Sequence, residues 1–141
     1  MLPFLNLILG FYKMNTFDCD GVITLGIHPG KYDVIITGRS FEEADVTIQY
    51  LKEKGITNKV YFNPLKFDEK TRESSGLHKA NIINSLIEQG AEIKYHFDDD
   101  PIQIESIKSN LKYPVKIIYV NHDGEINMEN VSHEEHMKNM K

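Results

Sequence analysis

The chain has 141 residues, which is enough for one domain with a real core and too few for two ordinary ones. Its 40% hydrophobic and 26% charged residues are typical of a globular protein, and its net charge of -5 argues mildly against sequence-independent binding to nucleic acid, without excluding a local basic groove. A single cysteine, Cys19, excludes an internal disulfide and a multi-cysteine zinc site, and it favours the cytoplasm.

The two ends of the chain carry weaker signals than its middle. The apolar stretch at residues 2–9 is far shorter than the ~20 residues that span a bilayer, and no basic residues precede it, so we expect no membrane anchor. Residues 1–13 are therefore either a leader or an extension of the first strand. Residues 123–141 are predicted to be a polar tail, for which a solvated or frayed helix is favoured over metal binding by its histidines.

Asp18 and Asp20 follow a short strand-like stretch at residues 14–17 and precede Gly21. If the strand runs on through Asp20, both carboxylates face one side; if the chain turns at Gly21, Asp20 lies just above Asp18. Two like charges this close call for a raised pKa on one of them or a divalent cation between them. Residues 22–27 are mostly apolar, which disfavours a calcium loop and leaves a polar turn or a catalytic strand end.

The next elements alternate between strand and helix. Residues 32–37 predict a strand that ends in Thr37, Gly38 and Arg39, and the sequence from Ser40 to Glu43 resembles a capping box that opens a helix. That helix carries Ala44, Ile48 and Leu51 on one face and ends at Gly55. A short strand at residues 59–62 follows. A hairpin flap is expected between the first two strands, turning at residues 28–30.

The second half of the chain continues the alternation. A helix is predicted over residues 77–89, a strand over 93–97, a helix over 102–110 and a last strand over 115–120. Asp100 is expected to cap the third helix, with Pro101 at its first position. The pattern predicts an α/β fold: a three-layer, Rossmann-like parallel sheet with helices on both faces.

Polar side chains cluster at the carboxyl ends of three predicted strands. These are Asp18 with Asp20, then Thr37, then Asp98 with Asp99. Open α/β sheets place ligand sites at this edge, so we expect the five side chains to meet there. The adjacent charges at residues 98–100 cost stability unless a cation or a helix N-terminus offsets them.

In order and spacing, these motifs resemble those of the haloacid dehalogenase superfamily of phosphohydrolases over residues 15–120, a match that frames a domain at residues 14–122. The resemblance implies a Mg²⁺-dependent phosphomonoesterase that forms an aspartyl-phosphate. Asp18 would be the nucleophile and Asp20 the general acid and base, with a pKa raised relative to that of Asp18. Thr37, Gly38, Arg39 and Lys79 would bind the phosphate. Asp18, Asp20 through its backbone carbonyl, and Asp98 or Asp99 would hold the metal.

Several assignments have competitors. Thr37 has the alternative role of capping the following helix, and Lys66 and Lys70 are rivals of Lys79. His78 is either a substrate contact or, the favoured account, an exposed histidine at a helix start. Asp98 and Asp99 are harder to explain without a metal.

The chain departs from the family pattern between Asp20 and Thr37, where about seventeen residues leave no room for a cap domain or the usual first helix. An uncapped site favours a bulky phosphorylated substrate, with a nucleotide or nucleic-acid end ahead of a phosphoprotein. The missing helix also leaves one face of the sheet thin, to be covered by residues 2–11 or by a second subunit. The alternative function is a catalytically weak binding or regulatory module of the same fold.

Overall fold

Five parallel strands form the centre of the molecule in the order β3-β2-β1-β4-β5. The computed structural model describes residues 12–121, so the tail proposed at residues 123–141 and most of the leader lie outside the described part. The strands are β1 (Tyr12–Phe17), β2 (Val34–Ser40), β3 (Val60–Asn63), β4 (Ala91–Asp98) and β5 (Lys116–Tyr119). The helices are α1 (Ala44–Glu53), α2 (Arg72–Glu88) and α3 (Pro101–Asn110). The predicted α/β fold with a parallel, Rossmann-like sheet is confirmed.

The two faces of the sheet bury separate apolar clusters. Because side chains alternate along a strand, Val34 and Ile36 face one side and Ile35 the other. The first cluster packs under α2 and α3, whose contributions include Ile83 and Ile107. The second packs under α1 and the segment after β1, and its fully buried members are Cys19, Val22, Ile23, Ile35 and Val120.

The first strand begins earlier than the domain boundary predicted at residue 14. Tyr12 and Lys13 pair with Ala91 and Glu92 of β4, so these two residues belong to the sheet. Of the two alternatives for residues 1–13, extension of the first strand therefore holds for Tyr12 and Lys13, the two of these residues that the structure describes. None of the helices between residues 12 and 121 is long and apolar enough to cross a membrane.

Helix α2 begins five residues before the predicted start at residue 77. Thr71 caps it: its hydroxyl accepts from the Ser74 N–H at 3.0 Å, and the Ser74 hydroxyl accepts from the Thr71 N–H at 2.8 Å. Gly76 is a weak helix former, and it lies inside the helix where α2 meets α3. A Cβ there would lie 2.6 Å from the Gln103 carbonyl oxygen, so the glycine permits the close approach of the two helices.

The expected hairpin flap is wrong. Between β1 and β2 the structure has a 3₁₀ turn at Ile23–Leu25 and irregular loop, with no strand among the described residues 18–33. Ile23 is fully buried against the sheet, and Asp33 accepts hydrogen bonds from the N–H groups of Asn15 and Gly30 at 2.8 and 2.7 Å. These anchors hold the segment to the sheet in place of strand pairing.

The inward face of α1 also differs from the prediction. Thr47 and Leu51 are buried, whereas Ile48 is exposed. The capping box is present, since Ser40 accepts from the Glu42 N–H and the Glu43 carboxylate accepts from the Ser40 N–H at 2.7 Å. Asp100 caps α3 as predicted, accepting from the Ile102 N–H at 3.0 Å with Pro101 in the first turn.

Candidate active site

The chain turns immediately after β1, and this turn separates Asp18 from Asp20. The Asp18 N–H still donates to the Phe97 carbonyl at 2.9 Å, but residues 19–22 form a turn in which Gly21 has φ +78°. Asp18 is buried and Asp20 is exposed. Of the two geometries left open by the sequence, the turn at Gly21 is the one observed.

Lys79 lies between two aspartates at the carboxyl end of the sheet. Its ammonium nitrogen is 3.0 Å from Asp18 Oδ1 and 2.8 Å from Asp98 Oδ2, and its side chain is fully buried. Lys79 is the eighth residue of α2, so it lies about two helical turns after the helix start, which lines the cleft. Burial lowers the pKa of Lys79, but the charges of Asp18 and Asp98 raise it by more than burial lowers it. The net pKa is above its usual range, so the lysine stays protonated.

Asp98 accepts hydrogen bonds at both carboxylate oxygens. Oδ2 accepts from Lys79 and from His96 Nε2 at 2.9 Å, while Oδ1 accepts from the N–H groups of Asp99 and Asp100 at 2.9 and 3.2 Å. Burial raises the pKa of Asp98, but Lys79 and His96 lower it well below its usual range. Asp98 is therefore an ionised, fully buried anchor that fixes Lys79 and the start of the next turn.

Asp99 is the more accessible of the two neighbouring aspartates. It is half-buried, it lines the cleft described below, and it lies within hydrogen-bonding reach of Asp18. Its carboxylate occupies the space beside Gly21 that a Cβ would fill. Burial and the neighbouring Asp98 raise the pKa of Asp99.

The carboxylates of Asp18, Asp98 and Asp99 fit a divalent cation. One oxygen from each lies within 4.8 Å of the others, and these three form a metal-compatible group among residues 12–121. Burial, and after it the charge of Asp98, raise the pKa of Asp18 well above its usual range despite Lys79, and a bound cation would offset both effects. An all-oxygen donor set of this kind suits Mg²⁺.

Asp20 is not part of that carboxylate group. Its carboxylate forms a two-pronged pair with Arg39, whose Nε and Nη2 donate at 2.9 and 2.7 Å. These hydrogen bonds lower the pKa of Asp20, although burial raises it. The expectation that the pKa of Asp20 exceeds that of Asp18 is therefore wrong in this arrangement, because Arg39 stabilises the charged form of Asp20 while Asp18 is buried among other carboxylates.

The end of β2 carries three further residues of the predicted site, Thr37, Gly38 and Arg39. Thr37 is fully buried, and its hydroxyl accepts from the Arg39 N–H at 3.1 Å, so it helps to shape the end of β2 that carries Arg39. Gly38 lines the cleft, and its carbonyl accepts from Lys70 Nζ at 3.1 Å. Arg39 also lines the cleft and reaches Thr47 of α1 at 3.0 Å.

An open cleft of about 600 Å³ lies over these strand ends. Acidic, basic and small polar side chains line it; they are Asp18, Asp20, Asp99 and Asp100, Arg39, Lys70 and Arg72, and Thr71, Ser75 and Gln103. Its cations are paired, with Arg39 to Asp20, Lys70 to Glu43 at 2.9 Å and Arg72 to Asp100 at 2.6 Å. The cleft is therefore polar, mixed in charge and open to solvent.

The rivals considered for Lys79 occupy other positions. Lys66 is exposed, and Lys70 is held by Glu43 and the Gly38 carbonyl at the side of the cleft. His78 is buried, which corrects the expectation of an exposed histidine, and its Nε2 lies 3.4 Å from the Tyr61 carbonyl oxygen. Cys19 is fully buried in the apolar cluster under α1, and burial raises the pKa of its thiol to about 11.

Sequence reasoning missed His96, which is fully buried behind the carboxylates. Its Nδ1 lies 2.6 Å from the Thr16 hydroxyl and its Nε2 lies 2.9 Å from Asp98. A bulge in β4 opposite Asn15 sets the register that brings His96 beside Thr16. The available signal was a histidine two residues before Asp98, a spacing that places both side chains on the same side of a strand.

Sequence reasoning also missed the Arg72 to Asp100 pair, which joins the starts of α2 and α3. The late predicted start of α2 concealed this pair.

No protein-family model matches the chain, and comparison with curated proteins gives no match either.

Proposed function

We propose that this chain is a Mg²⁺-dependent phosphomonoester hydrolase of the haloacid dehalogenase type, with a shortened first connection and no cap domain. The observation that carries the proposal is the buried arrangement of Lys79 between Asp18 and Asp98, with Asp99 beside them at the floor of an open cleft. A buried lysine shared by two carboxylates is costly to desolvate. Such an arrangement at the carboxyl edge of a parallel sheet supports a catalytic purpose.

Asp18 is the proposed nucleophile. One of its oxygens forms a bond to phosphorus as the bond from phosphorus to the leaving oxygen breaks, which gives an aspartyl-phosphate and splits the hydrolysis into two displacements. Lys79 and the Cys19 N–H, both on Asp18 Oδ1, leave Oδ2 as the attacking atom. Water then attacks phosphorus, releases phosphate and restores the Asp18 carboxylate.

Asp18 and Asp99 are the proposed metal ligands, since both line the cleft while both oxygens of Asp98 are already engaged. Asp98 then acts through Lys79 and through the backbone of Asp99. Bound Mg²⁺ would neutralise charge among the carboxylates and the phosphate. The Asp20 carbonyl remains the further oxygen ligand that the family resemblance implies.

Asp20 is the proposed general acid and base, and Arg39 controls it. To donate a proton to the leaving oxygen, Asp20 must leave or loosen its pair with Arg39. A substrate phosphate that attracts the Arg39 guanidinium would do this. The same pair also favours the second candidate, a catalytically weak binding module, because an Asp20 held in its charged form is a poor acid.

The open cleft supports a bulky substrate. Between residues 18 and 33 the chain lies on the sheet instead of over the site, so nothing in the described part of the chain closes over the cleft. We therefore place a nucleotide or nucleic-acid end first among the substrates and a phosphoprotein second. Small metabolites, which are commonly enclosed during catalysis, come last.

The test is phosphate release from p-nitrophenyl phosphate, nucleotides and oligonucleotides with 3′- or 5′-phosphates, in Mg²⁺ and in EDTA. Asp18→Asn is expected to lower the turnover number by about a thousandfold or more, because it removes the nucleophile. Asp45→Asn, the same change on an exposed residue of α1, serves as the control. Activity that survives in Asp18→Asn or in EDTA would contradict the mechanism.

Binding of beryllium fluoride with Mg²⁺ separates the two candidate functions. A competent Asp18 is expected to bind this phosphoryl mimic, and the wild-type protein should then be stabilised while Asp18→Asn is not. A folded wild type that neither binds the mimic nor releases phosphate from any substrate would favour the binding module.

A further inference from the structure

Three exposed apolar side chains flank the cleft, and we call them the apolar rim: Phe41, Leu65 and Phe67. Phe67 is 63% exposed, Phe41 50% and Leu65 36%. Phe41 follows the cleft residue Arg39 by two positions, and Phe67 precedes the cleft residue Lys70 by three. Exposed apolar side chains grouped beside a polar site mark a binding surface more often than isolated ones do.

The apolar rim is held in place by hydrogen bonds. The Ser40 hydroxyl donates to the Leu65 carbonyl at 2.7 Å, and the Phe67 N–H donates to the Glu42 carboxylate at 2.9 Å. Two contacts therefore fasten the loop after β3 to the segment that carries Phe41. Side chains presented by a fixed loop lose little freedom on binding, which favours recognition.

Lys70 connects the apolar rim to the cleft. Its ammonium nitrogen lies 5.1 Å from the centre of the Phe67 ring and 3.1 Å from the carbonyl oxygen of Gly38 in the cleft. A ligand that places a phosphate in the cleft can therefore rest another part on the Phe67 ring. An aromatic platform with an adjacent cation suits a nucleobase, since every base has a planar face that stacks.

We propose that the apolar rim binds the base of a nucleoside phosphate or of an oligonucleotide end whose phosphate occupies the cleft. This inference rests on the proposed phosphohydrolase function and identifies the residues that select its substrate class. The size of the rim agrees with one base, because its three side chains are far fewer than the 20 to 30 residues that each partner contributes to a stable protein interface. A phosphopeptide, which also binds through few residues, is the competing ligand that the test includes.

The test compares kcat/KM for thymidine 3′- and 5′-monophosphate, 2-deoxyribose 5-phosphate and a phosphoserine peptide. The nucleotides are expected to exceed the baseless sugar by at least tenfold, and Phe67→Ala to reduce that ratio at least fivefold while Phe67→Tyr preserves it. Val46→Ala is the matched control, since Val46 is also apolar and is 72% exposed on α1, outside the cleft lining.

A second arm measures nucleotide binding to Asp18→Asn by calorimetry, with and without Phe67→Ala. Absence of phosphate release from every substrate would count against the proposed function, whereas the binding arm still tests the apolar rim. Equal kcat/KM for the nucleotides and the baseless sugar, an unchanged ratio in Phe67→Ala, a preference for the phosphopeptide, or binding indifferent to Phe67 would each overturn the inference.

Discussion

Gly21 is the residue on which the geometry of the candidate site depends most closely. Its φ of +78° lies in the left-handed region, and the space where a Cβ would sit is filled by the Asp99 carboxylate. A side chain at this position therefore adds backbone strain and displaces a proposed metal ligand. Gly55, with φ +75° and nothing within 4 Å of its Cβ position, has the strain alone.

We expect Gly21→Ala to weaken Mg²⁺ binding at least tenfold, and Gly55→Ala to leave it unchanged. Both substitutions should lower the free energy of unfolding by about 1–2 kcal/mol through left-handed strain. Mg²⁺ titration calorimetry and urea unfolding measure the two effects separately. Equal Mg²⁺ affinity in the two variants would show that Asp99 does not depend on Gly21.

The buried histidine predicts a coupled loss of stability. Burial lowers the pKa of His96 despite Asp98, so the ring is neutral. Since a carboxylate only accepts, Nε2 must carry the hydrogen for Asp98, and Nδ1 accepts from the Thr16 hydroxyl. Deleting one partner leaves a buried polar group without its hydrogen bond.

His96→Leu is therefore expected to lower the free energy of unfolding by about 2 kcal/mol, and Thr16→Val by about 1 kcal/mol. The double variant should lose less than the sum of the two, because Thr16 has no histidine left to bind once His96 is absent. Urea unfolding of the four proteins forms a double-mutant cycle. Strictly additive losses would contradict direct coupling between the two side chains.

At the scale of elements, the sequence predicted strands and helix ends well where the signal was local. Short apolar runs located all five strands, and the capping box at Ser40 and Asp100 with Pro101 marked helix starts that the structure contains. The second capping box, at Thr71, was missed. The predictions that were wrong concern features that depend on contacts between residues distant in sequence. The first turns of α2 were missed because nothing local shows that Gly76 faces α3, and residues 23–32 suggested a hairpin because the burial of Ile23 depends on the whole sheet.

The candidate site follows the same division. Asp18, Asp98 and Asp99 were predictable because each ends or follows a recognisable strand, and Lys79 because it resembles a family motif. The pairing of Asp20 with Arg39 was not predictable, since it joins the turn after β1 to the end of β2 through side-chain directions. His96 was missed because its role depends on the bulge in β4.

The start of α1 gives a pH-dependent prediction. Glu43 accepts from the Ser40 N–H and from Lys70 Nζ. Burial raises the pKa of Glu43, but these two hydrogen bonds lower it by more than burial raises it. The net pKa of Glu43 is therefore below its ordinary value. A carboxylate with a lowered pKa in the folded state contributes stability at pH values above its unfolded pKa of about 4.3, and that contribution is lost as pH falls through the folded pKa.

Glu43→Gln should therefore destabilise the protein by about 1 kcal/mol at pH 7, and the difference from wild type should shrink below about pH 4.3. Urea unfolding between pH 3 and 8 measures this. Glu53→Gln, on the exposed end of α1, is the control and should change stability by less than about 0.5 kcal/mol. A difference that is constant across the pH range would show that the Glu43 charge is irrelevant to folding.

At the scale of the whole molecule, one face of the sheet is polar among residues 12–121 where the first connection is short. On the α1 side of the sheet, the first halves of β1, β4 and β5 carry exposed polar side chains, among them Lys13, Lys94 and Lys116. The thin face expected from the missing helix is thus polar at these described positions, and residues 2–11, one of its two proposed covers, lie outside the described part of the chain.

The proposed metal site links binding to folding, because a cation that binds only the folded chain adds to its stability. Mg²⁺ at about 100 times its dissociation constant is expected to raise the free energy of unfolding by about 2.7 kcal/mol. Asp99→Asn should lose most of this gain, because it removes the accessible carboxylate beside Asp18. Glu92→Gln makes the same charge change on an exposed strand residue and should keep it. Thermal unfolding in Mg²⁺ and in EDTA measures this stabilisation. Equal stabilisation of Asp99→Asn and Glu92→Gln would show that the cation binds away from Asp99.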